Sequence, residues 1–92
     1  MQKIYKYLFP ISDEQQLYLP KDAQILTCFS QARVGPVLYA IVDSEAPTVP
    51  RNISCRGTGH PMHGKEGKYV GTIRVSDDTL IFHVFDGGEH DS

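Results

Sequence analysis

The residues best able to do chemistry lie in one stretch. Arg56–Gly67 reads R-G-T-G-H-P-M-H-G-K-E-G, with four glycines and a proline in twelve residues, and Lys68 follows it. Arg56, His60, Lys65 and Lys68 supply positive charge or protons. Gly57, Thr58 and Gly59 supply backbone amides outside regular structure, and successive free amides can form a concave nest for phosphate or carboxylate. Arg56, Gly57, Thr58, Gly59, His60, Lys65 and Lys68 are therefore the candidate ligand- or partner-binding residues. The G-x-G-x-x-G and Walker patterns are both missing, so the same glycines would also suit a tight turn that needs positive φ. If Arg56 and His60 are exposed loop charges, replacing both with Ala should leave melting nearly unchanged.

Two further chemistries are weaker. Cys55, His60 and His63 have C-x4-H-x2-H spacing, and His83 or His90 would complete four ligands of the kind zinc takes. The spacing fits no standard finger and lacks a second Cys-x-x-Cys arm, so no metal site and no cofactor is expected. Cys55 with His60 or His83, or Thr58 with His60, would pair a nucleophile with a base. No flanking motif supports either pair, and no catalytic residue is assigned. His83 falls in an apolar run and reads as a hydrogen-bonded core imidazole. Tyr5, Tyr7, Phe9 and Tyr18 crowd the first twenty residues and fit a protein interface as well as a core.

Composition sets the frame. The chain has 92 residues, 40% of them hydrophobic, which suits one domain with a real core. Its net charge of −2 argues against nucleic acid. The charge is uneven: Arg51, Arg56, Lys65, Lys68 and Arg74 share a stretch whose only acid is Glu66. Val37–Val42 and Leu80–Phe82 are the longest apolar runs, and both are too short to span a bilayer. The start, MQKIYKYLF, has no signal-peptide pattern, so the expected setting is cytoplasmic with Cys28 and Cys55 reduced.

The elements that must position these residues are strands. Lys3–Phe9 ends at Pro10, and Gln15–Leu19 follows a polar turn, so the two read as a hairpin. In Ala23–Phe29, alternation puts Ile25, Thr27 and Phe29 on one side and Leu26 and Cys28 on the other. Val37–Val42, reading V-L-Y-A-I-V, is an unbroken apolar run that implies a central strand covered on both faces. Val49–Cys55 reads as an edge strand because Pro50 cannot donate to a ladder. Tyr69–Val75 and Thr79–Phe85 flank Ser76-Asp77-Asp78, a good hairpin turn. No helical period is convincing. The expected fold is all-β, a small antiparallel sandwich or partly open barrel of about seven short strands. Residues 1–85 form the domain, and 86–92 form a flexible polar tail.

Several of these segments resemble a family of small proteins from tailed phages and prophages. The resemblance rests on Ile4-Tyr5-Lys6-Tyr7, Asp13-Glu14-Gln15 with Leu17 to Pro20, Ala23 to Leu26, and Ala40 to Asp43. It continues through G-T-G-H-P at Gly57 to Pro61, Tyr69 to Thr72, and F-H-V-F at Phe82 to Phe85. The sequence departs from the pattern at Tyr39, where Trp is expected, and at His63. The resemblance implies a phage origin and supplies no activity. The expected function is non-catalytic: binding a host protein, such as a defence component, in the host cytoplasm, or self-association as a homo-oligomer. The alternative is a small-ligand binder that sequesters a nucleotide or other anion at residues 56–68.

Overall fold

The computed structural model describes residues 1–77 and 79–90. Seven strands run in chain order: β1 (Gln2–Leu8), β2 (Glu14–Pro20), β3 (Gln24–Gln31), β4 (Gly35–Asp43), β5 (Thr48–Gly57), β6 (Lys68–Val75) and β7 (Leu80–Glu89). They form two antiparallel sheets, one of three strands in the order β1-β4-β3 and one of four in the order β2-β5-β7-β6. The fold is all-β, as the alternating apolar runs and turn clusters imply. The sheets pack as layers and do not close into a barrel.

One cluster of buried residues fills the space between the layers. Cys28, Leu38, Ala40 and Val42 come from the three-stranded sheet, and Leu19, Ile53, Cys55, Ile73 and Val84 from the four-stranded one. Burial of this apolar surface drives the layers together, at roughly 25 cal/mol per Å². Both cysteines are free thiols. Burial pushes the Cys28 thiol up to about 11, and Cys55 is raised for the same reason.

Beside Leu26 on β3 and beside Val70 on β6, the register slips by one residue. Each slip is a β-bulge, which changes the alternation of sides. Ile25 and Cys28 therefore both face the core, while Thr27 and Phe29 face outward. Strict alternation places Ile25 with Phe29 and misses this. β3 and β6 meet edge to edge at the seam of the two layers. A Cβ on Gly71 would lie 2.9 Å from Cys28 Sγ, so only glycine permits this approach.

Three strand expectations change. β1 and β2 are not a hairpin: β1 pairs with β4 and β2 with β5, in different sheets. The link between them carries Phe9 into the core, so the chain changes layers there. β5 is not an edge strand but lies between β2 and β7. Pro50 is tolerated because it sits just past the end of the β5–β7 ladder, opposite His90, whose amide donates to the Pro50 carbonyl at 2.9 Å. β7 continues to Glu89, so residues 86–89 of the expected tail pair with β5. Asp78 of the expected turn, and Asp91 and Ser92 of the tail, lie outside the described residues.

Candidate functional site

The seven candidate residues do not converge. Arg56 and Gly57 belong to the end of β5, and the loop begins only at Thr58. Alternation along β5 puts Ile53 and Cys55 into the core and turns Arg56 to the outer face of the four-stranded sheet. The loop then folds back and buries Arg56 to 6% exposure. Its Nε donates to Glu66 Oε2 at 3.0 Å, its Nη1 to the Asp13 and Cys55 carbonyls, and its Nη2 to Glu14 Oε1 at 3.4 Å.

Glu66 is itself 4% exposed. It accepts from the His63 amide at 2.7 Å and the Gly64 amide at 2.8 Å. The His63 amide foremost, with the Gly64 amide and the Arg56 guanidinium, holds its carboxyl at about 2 against the opposing effect of burial. This is a clasp. It pins residues 58–67 to the strand they leave, and Gly67 then lets the chain cross β7 into β6. Gly67 has φ 103°, and a Cβ there would lie 2.7 Å from the Gly87 Cα.

The remaining candidates are spread around this clasp. Gly59, at φ 87°, makes a turn closed by the His60 amide on the Gly57 carbonyl at 3.0 Å. The His60 imidazole occupies the space a side chain on Gly57 would fill. Arg56 and His60 line a cleft of about 310 Å³ together with Asp13, Glu14, Pro61 and His63. Two carboxylates in that wall oppose an anion there. Lys65 borders a second cleft with Asn52, Ser54 and Glu66. Lys68 borders a third, at the seam, with Arg51, Tyr69 and Asp86.

Arg51 is the partner of Asp86, donating from Nε at 2.8 Å and Nη2 at 2.7 Å, while Nη1 donates to the Ala23 carbonyl at 2.7 Å. Burial works to raise the Asp86 carboxyl, but Arg51 and the Gly88 amide hold it below its ordinary value. Cys55 points into the core, on the opposite face of β5 from Arg56. Among the described residues, no three His, Cys, Asp or Glu side chains gather as metal ligands would.

Two arrangements escaped the sequence reading. The first is a row of hydroxyls around His83 on the outer face of the four-stranded sheet. His83 is half-buried and is not a core residue. Thr58 Oγ1 lies 2.9 Å from its Nε2, and Thr72 Oγ1 lies 3.0 Å from its Nδ1. Tyr69 OH lies 2.6 Å from Thr72 Oγ1 and packs its ring edge-on against Phe85. The row can be polarised in either direction, ending on a hydroxyl at Thr58 or at Tyr69. Thr58 and His83 have the spacing of a hydroxyl and its base, but the group beyond the imidazole is a hydroxyl and not a carboxylate. The strand spacing of Thr72 and His83, opposite each other across β6 and β7, is the signal that would have found it.

The second is the outer face of the three-stranded sheet. Register puts Ile4, Lys6 and Leu8 of β1 beside Ile41, Tyr39 and Val37 of β4, with Phe29 of β3 beside Val37. Ile4 is 62%, Leu8 59% and Phe29 40% exposed. Phe29 and Tyr39 stack with centroids 5.6 Å apart. Lys6 Nζ reaches over β4 to Gln31 Oε1 at 3.2 Å. Val37, between Leu8 and Phe29, is fully buried and Tyr39 and Ile41 are half-buried, so the open apolar surface is that of Ile4, Leu8 and Phe29. The aromatic residues read as fitting either an interface or a core are dispersed: Tyr7 packs on the core, Phe9 is buried in it, and Tyr18 is exposed on the other sheet.

Residues 1–92 match a family described as a domain of unknown function (DUF7352). The chain belongs to this family. It matches no curated protein and no solved structure.

Proposed function

We propose that this chain acts by non-catalytic protein binding, through the outer face of its three-stranded sheet. The observation that carries this reading is the apolar surface formed by exposed Ile4, Leu8 and Phe29 with half-buried Tyr39 and Ile41 beside them. Exposed apolar residues scattered singly are ordinary, whereas a contiguous patch marks an interaction site. The stacked Phe29 and Tyr39 rings are rigid aromatic contacts of the kind enriched in interfaces. Following the family resemblance, we take the protein to be a phage-encoded accessory factor. Its partner is then a host protein, such as a defence component, or a second copy, in the host cytoplasm. The anion-binding alternative at residues 56–68 is less favoured, because its principal cation is committed to Glu66 and Glu14.

The test compares tagged wild type with Leu8→Asp in host lysate, using chemical cross-linking and native mass spectrometry. Far-UV circular dichroism serves as the folding control. The expected result is a stoichiometric complex, with itself or with another protein, that the variant loses while keeping its strand signal. A complex indifferent to Leu8→Asp, or no protein complex at all, sinks the reading.

A further inference from the structure

We infer that the occupant of this face is a second copy of the chain, stacked face to face with its β4 antiparallel to the first. This inference rests on the binding reading above and names its partner.

The ends of the face carry opposite charge. At one end, the turn between β3 and β4 presents Arg33, exposed and at φ 66°. At the other, β4 finishes at Asp43, and Glu45 follows in the next turn. The N-terminal amine lies 3.1 Å from Asp43 Oδ1 and 3.6 Å from Glu45 Oε2. Two carboxylates face one amine there, and Lys3, paired with core-facing Val42, alternates to the inner side of the sheet, so the outer side of that end is acidic. A two-fold axis lying between the sheets and across the strands turns β4 of one copy antiparallel to β4 of the other. Each Arg33 then meets the Asp43–Glu45 end of its partner, twice per dimer. An axis along the strands would put like charge on like. Complementary ends therefore select the antiparallel arrangement, and closed two-fold pairing is the commonest form of self-association.

The remaining features of the face suit this stacking. Aligned packing of two sheets about 10 Å apart needs apolar side chains on both inner surfaces, and this face supplies them. The only cation within it, Lys6, already has its ammonium directed onto Gln31. Edge-to-edge pairing through β1 is less suitable, since Lys3 and Lys6 place charge along that edge, a common device against such pairing. Three strands about 4.8 Å apart and some seven residues long present only a few hundred Å², so the dimer should be weak and concentration-dependent.

Sedimentation equilibrium on the untagged chain tests this, from about 5 to about 500 µM, because interfaces of this size are weak. Wild type should pass from monomer to dimer across the range. Leu8→Asp should weaken the dimer by about tenfold or more, since it buries an unpaired charge. Arg33→Glu alone and Glu45→Arg alone should each weaken it several-fold, and the two reversals combined in one chain should restore it. Circular dichroism on each variant confirms that the strands persist. Wild type that stays monomeric throughout overturns the inference, as does a dimer untouched by Leu8→Asp. Failure of the combined reversal to recover association also overturns it. A monomer that still forms a Leu8-dependent complex in lysate leaves the binding reading standing without the second copy. A monomer that forms none removes both.

Discussion

The two outer faces of this molecule are treated in opposite ways. The outer face of the four-stranded sheet carries Asn52, Ser54, Arg56 and His83, which water could solvate, yet a ten-residue loop is folded down onto part of it. The outer face of the three-stranded sheet carries exposed Ile4, Leu8 and Phe29, which water solvates poorly, and no loop is folded down onto it. A protein that works alone is expected to show the reverse. The difference teaches where to look. The covered face is internal architecture, held by buried charge, while the bare face is the one the proposed binding would use.

The largest effect should come from the clasp. Arg56→Ala leaves Glu66 buried without its cation, and breaking a buried pair in this way costs roughly 3–5 kcal/mol. For a chain of this size each kcal/mol moves the melting midpoint by about 4–8 °C, so calorimetry should record a fall well above 10 °C. This reverses the expectation drawn from sequence, that Arg56 is an exposed and dispensable loop charge. A variant that melts within a few degrees of wild type would show the loop to be unclasped. Next is Gly67→Ala, which places a Cβ against the backbone of Asp86 and Gly87 at a positive φ. Such strain should cost about 1–3 kcal/mol, and urea unfolding would reveal it as a lower midpoint at constant slope.

The clasp also sets a pH limit. The Glu66 carboxyl is held at about 2 in the folded chain, against an ordinary 4.5. Its folded pKa is depressed, so its contribution is fully present above about pH 4.5 and is lost as pH falls towards 2. Stability measured across that window should drop in wild type and drop less steeply in Glu66→Gln. Parallel curves for the two proteins would remove Glu66 from the account. A smaller effect is expected at His83. Replacing it with Phe removes two side-chain hydrogen bonds on a half-exposed face, each worth about 1 kcal/mol or less.

Much of the fold was legible in the sequence. The seven strands follow from apolar runs broken by Pro, Gly, Asp and Ser, and β4 is central in its sheet as its unbroken apolar run implies, although its outer face at Tyr39 and Ile41 is only half-buried rather than covered. Pairing was less legible, because it is decided at distance. Nothing near Pro10 says that Phe9 will enter the core and carry the chain to the other sheet, and nothing near Pro50 says that its missing donor falls at the end of a ladder. The loop at 56–68 was located, but its role was not. A charge counted along the chain looks exposed until the fold places Glu66 over Arg56. The bare face had a signal that was passed over: in I-Y-K-Y-L both alternating sets, Ile4 with Leu8 and Tyr5 with Tyr7, are largely apolar, so β1 cannot hide both in one core.

The smallest expected effect is the most informative one. Leu8 and Leu38 sit on adjacent paired strands, one facing outward at 59% exposure and the other fully buried. Leu38→Ala should cost roughly 2–5 kcal/mol at any protein concentration, since it opens a cavity. Leu8→Ala in dilute solution should change stability by no more than about 0.5 kcal/mol, because it removes little that the single chain buries. If a second copy covers the face, the two variants should also differ in how stability depends on concentration. Wild type and Leu38→Ala gain stability as the chain is concentrated, by mass action on the folded form. Leu8→Ala, with its contact trimmed, gains less. A Leu8→Ala variant that is strongly destabilised even when dilute would mean that the side chain is already buried in the monomer, and the contrast between the two faces would then disappear.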